Sequence, residues 1–162
     1  MTSFSSGRPT VAEIDLRALS FNYQQIKKRI PKSVSILAVV KADAYGHGAL
    51  PVSLKLGEMG ADYLGVAIPE EGIALRKGGV NTPILILGGI FQEGAEAILR
   101  YGLTPVVFDI YSLKRLSKAA KRKRRKVKVH LKVDTGMGRL GVPFHLFPVF
   151  LKETQKFPDI EI

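Results

Sequence analysis

The stretch Pro83-Ile84-Leu85-Ile86-Leu87-Gly88-Gly89 decides the fold class of this chain. An unbroken apolar run closed by two glycines predicts a strand that is buried on both faces. Such strands are typical of parallel sheets, whose crossover helices cover both sides. Helical patterns flank the run, over residues 70–77 before it and 92–101 after it. The local order is therefore helix, buried strand, helix.

The same alternation runs along nearly the whole chain. Further strands are predicted at 10–15, 35–41, 63–67, 104–108 and 127–133, and further helices at 16–30, 48–59, 110–120 and 144–156. Residues 160–162 begin another strand. A βα unit repeated five times, with a sixth begun, predicts an α/β fold with a parallel sheet. We expect an incomplete parallel β/α barrel of the TIM type, because a full barrel takes roughly 250 residues and this chain has 162.

The composition excludes several classes of function. The chain has no cysteine, so it has neither disulfides nor cysteine-based zinc or redox sites. Its net charge is +11, and residues 121–126 alone carry six positive charges. We interpret this run as a solvated loop and not as a nucleic-acid surface, because it holds no aromatic residue that would stack on a base. The amino terminus lacks a secretory pattern, and no apolar run approaches the roughly 18 residues of a membrane span. We therefore expect a cytoplasmic protein without nucleic-acid or membrane partners.

A lysine stands where the second predicted strand stops, in Ala38-Val39-Val40-Lys41-Ala42-Asp43-Ala44-Tyr45-Gly46-His47-Gly48. Catalytic groups of a β/α barrel project from the carboxyl ends of strands. Alternation places Leu37, Val39 and Lys41 on one face, so Lys41 tops the barrel interior if that face points inward. Two interpretations stay open on these residues alone: a reactive amine, or a lysine that snorkels at the sheet rim. His47 is interpreted as a structural hydrogen-bonding residue, since no second ligand stands at a metal-binding spacing.

A second polar constellation occupies residues 127–141. Its apolar face is expected to meet the helices and contains Val127, Val129, Leu131 and Val133. The opposite face then turns toward the barrel axis and contains Lys128, His130, Lys132 and Asp134. Asp134 at the strand end and Arg139 in the Gly-rich turn suit an anion site, because a guanidinium offers a fork to a carboxylate or phosphate. The alternative is an internal salt-bridge network that fills the barrel.

Together the two stretches closely resemble one family, the pyridoxal-phosphate-dependent alanine racemases. Residues 38–48 resemble that family's lysine signature, and residues 131–141 resemble its second landmark. Residues 8–16, 83–89 and 103–105 also fit. The resemblance implies that residues 1–162 are the N-terminal part of a pyridoxal-phosphate-binding β/α barrel. It implies that the remainder of the barrel and a C-terminal β domain are absent from this sequence.

The resemblance also implies roles for individual residues. Lys41 would form the internal aldimine with pyridoxal phosphate and act as acid or base on one face of the substrate α-carbon. Tyr45 would help hold the cofactor phosphate, and Arg139 would approach the substrate carboxylate and the phenolic oxygen of the cofactor. Lys132 matches a position that is carbamylated in some family members, where it braces that arginine. No metal is implied.

The implied activity is the interconversion of L- and D-alanine by a homodimer, which supplies D-alanine for peptidoglycan. Racemisation needs acid and base on both faces of a planar intermediate, and the family's second base is a tyrosine contributed across the dimer. Because only Lys41 matches, we expect the 162-residue chain alone not to racemise alanine at a useful rate. The alternative is a non-catalytic pyridoxal-phosphate-binding or homeostasis barrel protein, and the motif over residues 42–48 favours the racemase.

Overall fold

The computed structural model describes residues 10–90 and 94–162, in which short strands alternate with helices. The strands are β1 Leu37–Val39, β2 Tyr63–Val66, β3 Ile84–Ile86, β4 Thr104–Val107, β5 Val127–Lys128, β6 His130–Leu131, β7 Val133–Asp134, β8 Val142–Pro143 and β9 Ile160–Glu161. The right-handed α-helices are Leu16–Arg29, Ala49–Glu58, Pro69–Lys77, Gly94–Tyr101, Ile110–Lys123 and Phe147–Thr154, and a 3-10 turn spans Phe144–Leu146.

The main sheet is parallel throughout and has the order β1-β2-β3-β4-β6. Strand β5 lies just before β6 in the chain and pairs in parallel with β9. The predicted start of a further strand at residues 160–162 is therefore confirmed, and it continues the parallel order. Strand β7 pairs with β8 after the Gly-rich turn. This arrangement is the incomplete β/α barrel that the alternating pattern predicts.

The helix-facing side of the sheet forms the core. Ile84 and Ile86 of β3 have no exposed surface, and a Cβ on Gly72 of the helix Pro69–Lys77 would touch Ile84. The opposite face is more open, since Leu37 and Val39 of β1 remain 37% and 38% exposed. The predicted alternation of β1 is thus confirmed, with Leu37 and Val39 on the inner face.

The sheet curls about its inner face. The rings of Tyr63 on β2 and His130 on β6 meet edge to face, with centroids 6.2 Å apart. Strands β3 and β4 lie between them in the sheet order. In a flat sheet this separation would be about 14 Å, because neighbouring strands lie about 4.8 Å apart. The contact across the concave face therefore shows barrel curvature.

Three predicted elements differ from the structure. The strand predicted at residues 10–15 is wrong: within the described chain these residues are exposed and pair with no strand, and an unpaired strand is not stable. The single strand predicted at 127–133 is divided into β5, β6 and β7. The helix predicted to end at Ala120 continues to Lys123, so half of the basic run predicted as a loop is helical.

Candidate active site

The backbone that follows β1 forms a left-handed helical turn. Residues 42–45 all have φ between 50° and 55° and ψ between 37° and 53°. A non-glycine residue in this region costs roughly 1–2 kcal/mol, so four in succession persist only where other contacts hold them. The predicted strand at 35–41 consequently ends at Val39, and Lys41 opens the turn.

Side chains within the turn hold its far end. The Asp43 carboxylate accepts a hydrogen bond at 2.6 Å from the Ala49 amide, the first of the helix Ala49–Glu58, which has no partner within the helix. Nδ1 of His47 lies 3.0 Å from the carbonyl oxygen of Ala44 and 3.2 Å from that of Tyr45. Because both neighbours are acceptors, Nδ1 must carry the proton. This contact agrees with the structural role predicted for His47.

A glutamate absent from the residues predicted above holds the near end. The Ala42 amide donates to Oε1 of Glu71 at 2.7 Å, and the Ala67 amide donates to Oε2 at 2.6 Å. Glu71 lies in the first turn of a helix that begins at Pro69. A glutamate two residues after an N-terminal helical proline is the sequence signal for a capping role. That signal predicts the weak contact with the Ile68 amide at 3.4 Å but not the shorter contacts with Ala67 and Ala42.

The left-handed turn brings Lys41 and Tyr45 together. Nζ of Lys41 lies 6.0 Å from the centroid of the Tyr45 ring, within the range of a cation–π contact. Tyr45 is 61% exposed, and Lys41 is partly buried. An amine and a phenol thus open side by side at the carboxyl end of the sheet, where β/α barrels carry their chemistry.

Asp134 organises the second predicted constellation. Its Oδ1 accepts hydrogen bonds from the amides of Gly136 at 3.0 Å and Gly138 at 3.1 Å. These two bonds are the main reason that the pKa of Asp134 lies below its ordinary value, and the charge of Lys132 adds a smaller effect. The Asp134 carboxylate thus shapes the turn that carries Arg139, and the anion site itself stays a prediction.

The structure places the remaining predicted residues around the same end of the sheet. The Lys132 amide donates to Val107 of β4 at 2.9 Å, which ties the strand to the main sheet. Arg139 lies exposed on the Gly-rich turn between β7 and β8, and within the described ranges no ion pair joins it. Lys41 follows β1 at one edge of the main sheet, and Arg139 follows β7 just beyond β6 at the other edge.

The basic run lies at the other end of the molecule. Residues 121–126 are all exposed and come immediately before β5, at the amino ends of the strands. Arg122 pairs with Glu96 at 2.7 Å, and Lys121 lies 3.8 Å from Asp159. The run is therefore remote from Lys41, and the absence of a nucleic-acid partner stays a prediction.

The described part of the chain shows neither a membrane-spanning helix nor a cluster of metal-ligating side chains. None of its helices combines the length and apolar character needed to cross a bilayer. Within the same ranges, no three histidine, cysteine, aspartate or glutamate residues are placed to hold a metal ion.

Comparisons with known proteins agree in sequence and in structure. A curated alanine racemase of Geobacter sp. (strain M21) is 45% identical over 157 residues, which are 96% of this chain and 41% of that protein. The structure of alanine racemase from Clostridium difficile 630 in complex with cycloserine matches with a TM-score of 0.91 and 38% identity, over 96% of this chain and 43% of that one. The alanine racemase of Bacillus anthracis with bound L-Ala-P matches with a TM-score of 0.81 and 34% identity, over 91% and 38%.

The chain spans about two fifths of the length of these relatives. The family model described as "Alanine racemase, N-terminal domain" matches residues 14–162, which contain every site residue described above. This chain therefore belongs to the alanine racemase family, in the N-terminal domain of that family.

Proposed function

We propose that this chain forms the pyridoxal-phosphate-binding part of an alanine racemase, and that Lys41 is the residue that binds the cofactor covalently. The observation that carries the proposal is the left-handed turn, which presents Lys41 beside Tyr45 at the carboxyl end of β1. The alternative of a snorkelling lysine does not account for a strained turn held at both ends by carboxylates. Membership of the family supports the same assignment.

The side chains present fit pyridoxal phosphate in their chemistry. A primary amine is the group that condenses with an aldehyde, and the neighbouring phenol of Tyr45 offers a hydrogen-bond donor to a phosphate. The guanidinium of Arg139 offers two parallel donors to a substrate carboxylate. Lys132 lies between β6 and β7, shortly before the turn that carries Arg139, and we propose that it braces that arginine. When bound, the cofactor supplies an electron sink that makes the α-proton of an amino acid removable.

Lys41 is proposed to move a proton at one face of the alanine α-carbon. A racemase needs a second acid–base group on the other face. We propose that this group lies in the part of the relatives that this chain does not cover, and that it acts across a homodimer. By extension, the activity supplies D-alanine for peptidoglycan in the cytoplasm.

Covalent binding of the cofactor tests the assignment directly. Pyridoxal phosphate added to the purified chain should produce the visible absorption band of a lysine-bound cofactor, and Lys41→Ala should abolish that band. Lys126→Ala is the matched control, because it removes an exposed lysine at the far end of the sheet, and it should leave the band unchanged. An equally strong band in Lys41→Ala would show that Lys41 is not the binding residue.

The rate of alanine racemisation by the chain alone tests whether it holds one acid–base group, as proposed, or a complete active site. With cofactor present, the chain alone should interconvert the alanine enantiomers no faster than Lys41→Ala does, because we assign only one acid–base residue within it. Measurable racemisation that disappears in Lys41→Ala would contradict this division.

A further inference from the structure

The parallel ladder between β1 and β2 stops one step before Lys41. Its last regular bond runs from the Val40 amide to the Gly65 carbonyl at 2.8 Å. One step further, a regular ladder would have the Ala67 amide donate to the Val40 carbonyl, but that carbonyl accepts from the Ala44 amide at 3.0 Å and the Ala67 amide donates to Glu71. At the left-handed turn the ladder bond from Ala67 is therefore not formed.

A second rung is lost at the same place. The Ala42 amide would continue the ladder to the Ala67 carbonyl, but the Gly88 amide of the β3 side donates to that carbonyl at 2.9 Å. Two backbone donors, on Ala42 and Ala67, are therefore left without ladder partners. Ala67 is half-buried, so its amide needs another acceptor, whereas Ala42 is exposed and its amide is fixed only if a protein group binds it.

The Glu71 carboxylate replaces both missing rungs. Its Oε1 accepts from the Ala42 amide at 2.7 Å, and its Oε2 accepts from the Ala67 amide at 2.6 Å and more weakly from Ile68 at 3.4 Å. Two acceptor oxygens on one side chain thus satisfy both strand ends at once, one oxygen for each amide. Hydrogen bonds to an ionised carboxylate are also stronger than those between neutral groups.

We propose that Glu71 is a positioning residue for Lys41: it fixes the peptide unit that follows Lys41 and so sets the direction in which the amine leaves the sheet. The relevance of this contact to cofactor binding rests on the function proposed above. Glu71 acts through the backbone of Ala42 and is assigned no contact with substrate or cofactor.

The glutamine and aspartate variants separate the two contacts. Glu71→Gln keeps the shape but offers one oxygen and one amino group, and an amino group cannot accept from an amide. Glu71→Asp keeps the charge but shortens the side chain, so it should retain the local contact at Ala67 and lose the longer reach to Ala42. Glu70→Gln is the matched control, because Glu70 is an exposed glutamate in the same helical turn.

Amide hydrogen exchange of the chain without cofactor provides the first readout. In Glu71→Gln, exchange at Ala42 or at Ala67, whichever amide faces the amino group, should be about 10- to 100-fold faster than in Glu70→Gln, as expected for the loss of a charge-assisted hydrogen bond. In Glu71→Asp, exchange should rise at Ala42 but not at Ala67. The aspartate variant decides the question if the glutamine variant does not fold. Unchanged exchange at both amides in a folded Glu71→Gln, or at Ala42 in Glu71→Asp, would overturn the inference.

The second readout is the circular dichroism of the visible cofactor band, divided by its absorption. This ratio reports how rigidly the bound cofactor is held, and we expect it to fall at least about twofold in Glu71→Gln and to stay unchanged in Glu70→Gln. An unchanged ratio in Glu71→Gln would overturn the positioning role. Absence of the band in the wild-type chain would instead refute the proposed function, and the exchange comparison would still decide whether Glu71 fixes the turn.

Discussion

Replacing Gly141 by alanine tests whether the turn that carries Arg139 depends on a close approach of two backbone segments. The φ angle of Gly141 is 131°, and a Cβ there would lie 2.6 Å from the backbone nitrogen of Asp134 and 2.8 Å from the carbonyl carbon of Val133. These neighbours belong to the backbone of β7, so they cannot rotate away as a side chain would. The pair β7–β8 must therefore separate to admit a methyl group.

Gly136 provides a matched control within the same turn. Its φ angle is 130°, and a Cβ there would meet no atom within 4 Å. Both substitutions carry a backbone cost of roughly 1–3 kcal/mol for a side chain at such an angle. Only Gly141→Ala adds steric overlap, which typically costs about 1–3 kcal/mol. The free energy of unfolding should therefore fall by about 1–3 kcal/mol more in Gly141→Ala than in Gly136→Ala.

Thermal and urea unfolding, followed by circular dichroism, measure this difference. For a chain of this size each kcal/mol corresponds to about 2–4 °C in Tm. Gly141→Ala should therefore melt below Gly136→Ala by at least about 2 °C. Equal midpoints for the two variants would refute the reasoning, because their φ angles already match and only the contact with β7 differs.

Three further predictions follow from side chains outside that contact. Tyr23→Phe should leave the free energy of unfolding unchanged or raise it by about 1 kcal/mol, since the buried Tyr23 hydroxyl has no hydrogen-bond partner among the described residues; a loss on urea unfolding would contradict this. Ile98→Ala should lower the free energy of unfolding by about 2–5 kcal/mol, because Ile98 has no exposed surface. Ile26 is 55% exposed, so Ile26→Ala should lower it far less, and equal losses on urea unfolding would contradict this. Hydrogen bonds from the Gly136 and Gly138 amides lower the pKa of Asp134 from its ordinary 3.8. The ionised carboxylate therefore stabilises the fold above pH 3.8, and this stabilisation is lost as the pH falls through the lower pKa of the folded state. The NMR shifts of both amides should titrate at that lower pKa in wild type and should not do so in Asp134→Asn.

The order of elements could be predicted because burial on both faces is visible in local sequence. Ile84 and Ile86 are fully buried, and their apolar run predicts this burial from the sequence alone; β2 and β4 are predicted in the same way. The strand at residues 10–15 was predicted wrongly because alternation shows amphipathicity but not the presence of a pairing strand. The division of residues 127–134 into β5, β6 and β7 depends on three different partners: β9 far along the chain, β4 of the main sheet, and β8 beyond the Gly-rich turn.

For the candidate site, the residue identities could be predicted from local sequence, but the backbone conformation that presents them could not. Lys41, Tyr45 and Arg139 stand in contiguous motifs, so their identities are readable without a structure. The left-handed conformation of residues 42–45 is not, because no residue there is glycine and each disfavours that region on its own.

The contact that compensates at Ala42 comes from Glu71, which lies 29 residues further along the chain. Its carboxylate takes the place of two ladder bonds with β2 that are not formed beyond Val40. The strained turn is thus held in place by Glu71, so the two belong to one structural feature. A substitution at Glu71 should consequently alter the presentation of Lys41 while every residue of the lysine motif remains in place.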